Sequence, residues 1–145
     1  MLENRIEQTI IVADNDTMVR GLVRSILEQP GRAMLLAGDG DEAIAHAAQV
    51  QAALVLLDLR MPRVDGITAC RRIRELPNYR EIPIAILTLF DGDRVRREAR
   101  RAGATAFFAK PFTTDGLRRG LEPLIAAGQA AAARVAPPEM SNLLF

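Results

Sequence analysis

The side chains best suited to chemistry stand directly after apolar runs of the sequence. Asp14, Asp58 and Lys110 each follow such a run. Lys110 is the only lysine among nineteen Lys and Arg residues, so a compact ammonium stands where arginine would present a flat fork. In an open parallel sheet, ligands bind beyond the carboxyl ends of the strands. Two carboxylates and one ammonium at that edge predict a small anionic site that works with a metal ion.

Alternating strand and helix patterns predict the scaffold that brings these side chains together. Short apolar, β-branched runs predict strands over residues 9–13, 33–37, 53–57, 82–88 and 104–109. Apolar residues at helical spacing predict helices over residues 18–28, 40–50, 66–76, 94–102 and 113–129. Asp16 or Thr17 is expected to cap the first helix, and Asp65 the third. Five strand–helix units imply an α/β fold with a parallel, doubly wound sheet.

Length and composition narrow the class of protein. A chain of 145 residues fits one domain with a real core. The net charge of +1 argues against a nucleic-acid footprint, which needs a one-sided excess of basic residues. Cys70 is the only cysteine, which fits a reducing compartment. The early charges of residues 1–5 do not fit a signal peptide, and no apolar run reaches membrane-spanning length, so we expect a cytoplasmic protein.

Four segments at the predicted strand ends form a combined motif. They are Asp14-Asn15-Asp16, the run Asp58-Leu59-Arg60-Met61-Pro62-Arg63-Val64-Asp65-Gly66, Thr88 and Lys110-Pro111. Together they resemble the receiver domain of bacterial two-component response regulators, the family of the chemotaxis protein CheY, over roughly residues 9–125. Each segment alone is a weak signal, but the combination is highly specific. The resemblance implies a flavodoxin-like, five-stranded sheet in the order 2-1-3-4-5 with five helices, and a receiver domain over residues 1–125.

The resemblance also assigns the centre of the site. Asp58 corresponds to the phosphoacceptor, whose carboxylate attacks a phosphoryl group to form an acyl phosphate. Asp14, Asn15, Asp58 and the backbone carbonyl of Arg60 correspond to the Mg²⁺ ligands. The family has a second acid where this chain has Asn15. An amide oxygen still binds Mg²⁺ but brings no charge, so we expect weak metal binding.

Further residues take roles by the same resemblance. Lys110 and Thr88 correspond to catalytic residues that contact the phosphoryl group, and Lys110 alternatively pairs with Asp58 itself. Thr88 and Phe107 correspond to the pair that changes position on phosphorylation, although core packing explains Phe107 equally well. Structural roles fall to Asp65 as a helix cap, Gly66 at a close approach and Pro111 after a cis peptide bond. Leu89 departs from the family pattern, which has a small residue at this position. Phe90 and Arg60 stand at positions that control the access of water to the site in the family, and a bulky Phe90 is expected to slow hydrolysis of the acyl phosphate.

We expect a stand-alone receiver that accepts a phosphoryl group from a histidine kinase or phosphotransfer protein, and that is no enzyme beyond self-catalysed phosphotransfer and dephosphorylation. The alternative is a pseudo-receiver, a binding module that Asn15 has deprived of Mg²⁺-dependent phosphorylation. A phosphatase ranks last because its general acid would be needed at position 60, which is Arg60.

The expected partners follow from the same resemblance. They are the phosphodonor and, through the fourth-helix, fifth-strand and fifth-helix face, a second copy of the chain, with neither nucleic acid nor membrane contacted directly. The arginines of residues 94–101 form either a solvated helix face or a partner surface. Residues 126–145 are expected to form an alanine-rich helix extension and a flexible tail.

Overall fold

A computed structural model describes residues 6–135 and contains one parallel sheet with helices on both faces. The strands are β1 (Gln8–Ala13), β2 (Arg32–Ala37), β3 (Leu54–Asp58), β4 (Ile84–Thr88) and β5 (Ala106–Ala109). The helices are α1 (Thr17–Leu27), α2 (Gly40–Gln49), α3 (Gly66–Arg74), α4 (Asp93–Arg101) and α5 (Thr114–Ala133). The sheet order is β2-β1-β3-β4-β5, so the predicted fold class and strand order are confirmed.

Two hydrophobic layers hold the sheet. Every residue of β3 and β4 is buried, because helices cover both faces of the central strands. One layer packs α1 and α5 against the sheet through residues such as Val23 and Leu121. The other layer lies under α2, α3 and α4 and includes Ala43, Ile73 and Ala99. This double cover explains why the central strands read as continuous apolar runs in the sequence.

The register of the strands brings the predicted site residues to one edge. Ala13 pairs with Leu57, so Asp14 and Asp58 occupy the next position on neighbouring strands. On the other side of β3, Asp58 pairs with Leu87, directly before Thr88. Thr88 in turn pairs with Ala109, directly before Lys110. The carboxyl edge of the sheet therefore carries all four side chains.

Some element boundaries differ from the predicted ones. β4 begins at Ile84 rather than at residue 82, and β5 begins at Ala106 rather than at residue 104. The backbone N–H of Ala104 donates to the carbonyl of Ala99, so this residue completes the end of α4 instead of entering the sheet. α5 continues to Ala133 instead of ending at residue 129.

The last turns of α5 pack closely against the sheet. A Cβ atom on Gly128 would lie 1.6 Å from the carbonyl oxygen of Ala53, so only glycine fits at this contact. Ala131, one turn later, is also buried. The expected extension is therefore helical as far as Ala133 and packed as far as Ala132, and the tail expected after residue 135 lies outside the described residues.

α4 is the least firmly anchored of the five helices. Asp16, Asp39, Asp65 and Thr113 each cap a helix with a side-chain oxygen, whereas Gly92 precedes α4 without a side-chain cap. Within α4 only Ala99 is fully buried. A helix with little buried surface and an uncapped start is easier to displace than its neighbours.

Within residues 6–135, no helix has the length and apolar character needed to cross a membrane.

Candidate functional site

Asp14, Asp58 and Lys110 form a compact charged cluster at the carboxyl edge of the sheet. The Lys110 Nζ donates to Asp14 Oδ2 at 2.7 Å and lies 3.6 Å from Asp58 Oδ1. The side chains of Asp14, Asp58 and Lys110 are 3%, 9% and 11% exposed, respectively. Asp14 is thus the closer partner of the lysine, and Asp58 keeps a less fully neutralised carboxylate.

This imbalance of charge contributes to a raised pKa of Asp58. Burial first, and the negative charge of Asp14 second, raise the pKa of the Asp58 carboxyl to about 6. The Lys110 ammonium opposes both effects. One ammonium facing two buried carboxylates leaves an excess negative charge, which a further cation at this edge would relieve.

Thr88 is fully buried beside this cluster. Its Oγ1 accepts a hydrogen bond from the Phe90 backbone N–H at 3.1 Å. A hydroxyl that accepts one bond still has its own hydrogen to donate. Because Thr88 lies one position beyond the pairing of Leu87 with Asp58, this hydrogen is available to an acceptor close to the Asp58 carboxylate.

Asn15 and Asp16 are both exposed, unlike Asp14. The backbone N–H of Asp16 donates to Asp14 Oδ1 at 2.9 Å, and Asp16 Oδ1 accepts from the Met18 N–H at 2.9 Å. The Asp16 carboxylate is therefore engaged in capping α1, which limits its use as a substitute for the missing acid at position 15. Within residues 6–135, no three His, Cys, Asp or Glu side chains are grouped as a metal site.

The oxygen-rich edge nevertheless has donors that suit Mg²⁺. The ion prefers carboxylate, carbonyl and water oxygens and is held in proteins by as few as one or two carboxylates. Asp14 and Asp58 supply two buried carboxylates, and their uncompensated charge favours a cation. The amide of Asn15 and the carbonyl of Arg60 are neutral oxygens of the same class. The donor set therefore fits a weakly held Mg²⁺.

Arg60 and Phe90 meet beside the phosphoacceptor candidate. The Arg60 Cζ lies 3.7 Å from the centroid of the Phe90 ring, a cation–π contact. Arg60 lies two residues after Asp58, and Phe90 lies two residues after Thr88. The stacked pair thus joins the two loops that leave β3 and β4. Leu89, which precedes Phe90 in the chain, is 66% exposed.

The loop after Asp58 is held by backbone contacts and by one ion pair. Asp65 caps α3 by accepting from the Thr68 N–H at 2.8 Å. A Cβ on Gly66 would lie 2.2 Å from the Asp58 carbonyl oxygen. Arg63 has a positive φ of 65°, and its Nη2 lies 2.5 Å from Asp39 Oδ2. These contacts fix the loop against the starts of α2 and α3.

Phe107 and Pro111 lie where β5 ends. Phe107 is partly buried against the core under α4, and the Arg96 Cζ lies 4.7 Å from the centroid of its ring. The peptide bond between Lys110 and Pro111 is cis. Phe107 thus contacts α4 through Arg96, an arrangement compatible with both the switch role and the core role expected for it.

Sequence reasoning missed two arginines at the site. Arg20 Nη1 donates to the Asp14 carbonyl at 2.5 Å, and its Nη2 donates to Thr17 Oγ1 at 3.2 Å. Arg63 forms the ion pair with Asp39. The position of Arg20 in the first turns of α1, six residues after Asp14, was a usable signal, because a long side chain there points back toward the strand end. No local pattern links Arg63 to a residue 24 positions away.

Comparison with known proteins identifies similar chains. Residues 10–122 match the family model of the response regulator receiver domain. The transcriptional regulatory protein ResD of Bacillus subtilis is 39% identical over 107 residues, which cover 74% of this chain and 43% of ResD. The response regulator MprA of a Mycobacterium species is 36% identical over 130 residues, which cover 90% of this chain and 53% of MprA. The chain spans about half of the length of these relatives.

Solved structures agree in fold. The chemotaxis protein CheY4 of Vibrio cholerae aligns with a TM-score of 0.76 at 26% identity, covering 81% of this chain and 98% of that one. The receiver domain of a sensor histidine kinase from Pseudomonas aeruginosa aligns with a TM-score of 0.71 at 31% identity, covering 82% and 98% of the two chains. That structure contains a magnesium ion coordinated in its active-site cleft.

Proposed function

The chain belongs to the response regulator receiver domain family of two-component systems, and from this premise we propose that it accepts a phosphoryl group on Asp58. The observation that carries the proposal is the geometry at the sheet edge. A buried, incompletely neutralised Asp58 carboxylate lies 3.6 Å from the Lys110 ammonium, beside Asp14 and the buried Thr88 hydroxyl.

The reaction transfers a phosphoryl group between two nucleophiles. An Asp58 carboxylate oxygen attacks phosphorus as the phosphorus–nitrogen bond to the donor histidine breaks, and the histidine nitrogen keeps the bonding electron pair. Asp58 must be ionised to attack, and with a pKa of about 6 it is mostly ionised at neutral pH. The product is an acyl phosphate on Asp58, and its hydrolysis returns the free carboxylate.

The groups that would hold Mg²⁺ are the side chains of Asp14, Asn15 and Asp58 and the backbone carbonyl of Arg60. The bound ion would neutralise charge on the phosphoryl oxygens during the transfer. The structural relative that contains magnesium in its cleft supports this assignment. Lys110 adds a second cation beside Asp58, and the Thr88 hydroxyl donates to the new phosphoryl group.

The proposed output is a change of conformation and not the turnover of a substrate. When Thr88 and Lys110 turn toward the phosphoryl group, the loop after β4 follows, because the Phe90 N–H is bonded to Thr88 Oγ1. Phe107 and α4 then adjust to this loop. The resulting face of α4, β5 and α5 serves a partner protein or a second copy of the chain, without direct contact to nucleic acid or membrane.

The physiological donor is a histidine kinase or a histidine phosphotransfer protein of the cytoplasm. Mycobacterial MprA is named as a response regulator, and the relative from Pseudomonas aeruginosa is the receiver domain of a sensor histidine kinase. Both kinds of relative are compatible with this class of donor.

One observation favours a second candidate, a pseudo-receiver that binds partners without phosphorylation. Asn15 leaves the site without the second acid of the family, and Lys110 donates at 2.7 Å to the remaining one, Asp14. A lysine that neutralises Asp14 lowers the attraction of the site for Mg²⁺.

Beryllofluoride, a mimic of the phosphoryl group, separates the two candidates. For the phosphoacceptor, beryllofluoride and Mg²⁺ together raise the midpoint of thermal unfolding, because a ligand at 100 times its Kd stabilises by about 2.7 kcal/mol. Asp58→Asn should abolish the rise, whereas the exposed Glu81→Gln should retain it. A midpoint unmoved in the unmodified chain at saturating Mg²⁺ supports the pseudo-receiver instead.

A further inference from the structure

The positive charge of this chain is concentrated on two neighbouring helices. α3 contains three arginines and no acidic residue, while α4 contains five arginines and two acids. The two helices thus carry a formal charge of +6, whereas the whole chain carries +1. The rest of the molecule is therefore acidic by five charges. A nearly neutral composition conceals a strongly polarised charge distribution.

α3 and α4 lie side by side on one face of the sheet. The Cys70 Sγ lies 3.5 Å from the Ala102 carbonyl oxygen, and the Arg74 Nη2 donates to the Gly103 carbonyl at 2.6 Å. The two helices are thus direct neighbours. They share exposed arginines, which we call the α3–α4 arginine surface: Arg71, Arg72, Arg97, Arg100 and Arg101.

These five arginines differ from most of the other described arginines in their lack of an ion-paired carboxylate. Arg94 pairs with Glu98 at 3.3 Å and Arg96 with Asp91 at 2.6 Å. Similar ion pairs involve Arg24, Arg32, Arg118 and Arg134. Within residues 6–135, none of the α3–α4 arginine surface forms an ion pair with a carboxylate. Guanidinium groups without a counter-charge repel one another where they come close, and an acidic ligand would relieve this repulsion.

Most of the surface lies away from the proposed switch face, and only Arg100, one turn after Arg96, shares that side of α4. Arg96 turns toward the β5 side of α4, where it covers the Phe107 ring. The flank of α4 that meets α3 is marked instead by Ala102, next to Cys70. A partner bound at Arg71, Arg97 and Arg101 therefore leaves Phe107 and β5 uncovered.

We propose that the α3–α4 arginine surface binds an acidic segment of a partner protein. Arginine forks match carboxylates in a two-pronged geometry, and a short segment needs no more than these five groups. A nucleic acid fits less well, because each nine-residue helix spans only about 13 Å and an extended polyanion would meet the acidic remainder of the molecule. The exposed Asp41 and Glu42 belong to this acidic remainder. They lie on α2, which is the other helix next to α3.

Binding of a fluorescein-labelled peptide of five glutamates to the full chain tests this proposal by fluorescence anisotropy at low salt. Replacing Arg71, Arg97 and Arg101 together by Gln should weaken binding at least tenfold. The matched control replaces Arg24, Arg118 and Arg119 by Gln, which removes the same charge from the exposed surfaces of α1 and α5. We expect the control to change the affinity by less than twofold.

Three results would overturn the proposal. One is the absence of saturable peptide binding below 1 mM by the unmodified chain, and a second is an equal loss of affinity in both triple variants, which would indicate net charge alone. The third is tighter binding of a five-nucleotide oligothymidylate than of the peptide at the same salt, lost with the same three arginines. That outcome would assign the surface to nucleic acid.

Discussion

Asn15 is the residue that most affects the charge of the proposed site. It replaces an acid of the family pattern with a neutral amide, while Asp14 and Asp58 remain. Opposite unit charges about 4 Å apart attract by roughly 4 kcal/mol at an effective dielectric near 20, before desolvation is subtracted. A restored carboxylate should therefore strengthen metal binding even though desolvation offsets most of this attraction.

We predict that Asn15→Asp tightens Mg²⁺ binding about tenfold. Isothermal titration calorimetry at fixed ionic strength measures the change. Asn78→Asp makes the same charge change at an exposed position after α3 and should leave the affinity within twofold. Equal or weaker Mg²⁺ binding by Asn15→Asp would show that position 15 does not reach the metal.

Asp58 should cost the fold stability when it is ionised. Its pKa of about 6 exceeds the ordinary value of 3.8, so between these pH values the folded chain retains a proton that the unfolded chain has lost. Stability therefore falls as the pH rises through this window and remains lowered above it, by about 3 kcal/mol. The groups facing Asp58 are Asp14, which strengthens the effect, and Lys110, which weakens it.

Asp58→Asn, which cannot ionise, should raise the free energy of unfolding by about 3 kcal/mol at pH 7.5 in EDTA, and by almost nothing at pH 3.5. Urea unfolding at the two pH values measures both. The exposed Glu81→Gln should stay within about 0.5 kcal/mol of the unmodified chain at pH 7.5. A destabilised Asp58→Asn at pH 7.5 would contradict the charge imbalance at the site.

The sequence was sufficient to predict which residues meet at the site but not how they pair. Asp14, Asp58, Thr88 and Lys110 follow strands of a parallel sheet, so their convergence follows from topology alone. The closer contact of Lys110 with Asp14 depends on sub-ångström side-chain placement, which no spacing rule contains. The contact of Arg60 with Phe90 joins two loops and was likewise invisible in the sequence.

α4 is the element best placed to transmit a change at the site. Its start has no side-chain cap, only Ala99 is fully buried, and its loop begins at the Thr88–Phe90 hydrogen bond. We predict that amide exchange over residues 90–103 changes more on beryllofluoride binding than exchange over residues 18–28, measured by mass spectrometry. An equal response of the α1 segment, or none in the α4 segment, would exclude α4 as the output element.

Two helical glycines, Gly128 in α5 and Gly21 in α1, provide a separate test of the packing of α5. Gly128→Ala should destabilise the fold by about 2 kcal/mol, because its Cβ would overlap the Ala53 carbonyl. Gly21→Ala in α1, where nothing lies within 4 Å of the new atom, should stabilise by about 0.5–1 kcal/mol. Chemical unfolding compares the two, and an unaffected Gly128→Ala would mean that the end of α5 is not packed on the sheet.

The elements were predictable where their buried pattern is regular and less so at their ends. β3 is apolar throughout and was placed within one residue at each end. α5 was predicted to end four residues too early because its last turns contain alanines and Gly128 and no large apolar side chain. The small size of these residues is what allows the helix to approach the sheet closely. β5 was predicted to begin two residues too early, because Ala104 is apolar although its backbone N–H bonds to the Ala99 carbonyl in α4.

The molecule as a whole combines one reactive edge with a polarised surface. The parallel sheet gathers Asp14, Asp58, Thr88 and Lys110 at its carboxyl end, and the helices that flank this end differ in charge and in anchoring. α3 and α4 carry the excess of arginine, and α4 is also the loosely held helix. A charge change at Asp58 would therefore act on α4, which is the helix most able to move.

The central claim, that Asp58 is the phosphoacceptor, is tested most directly by intact mass after incubation with acetyl phosphate, with and without Mg²⁺. The unmodified chain should gain the mass of one phosphoryl group in the presence of Mg²⁺, more slowly or not at all without it, and Asp58→Ala should gain none. A gain that persists in Asp58→Ala, or no gain by the unmodified chain at saturating Mg²⁺, would contradict the assignment.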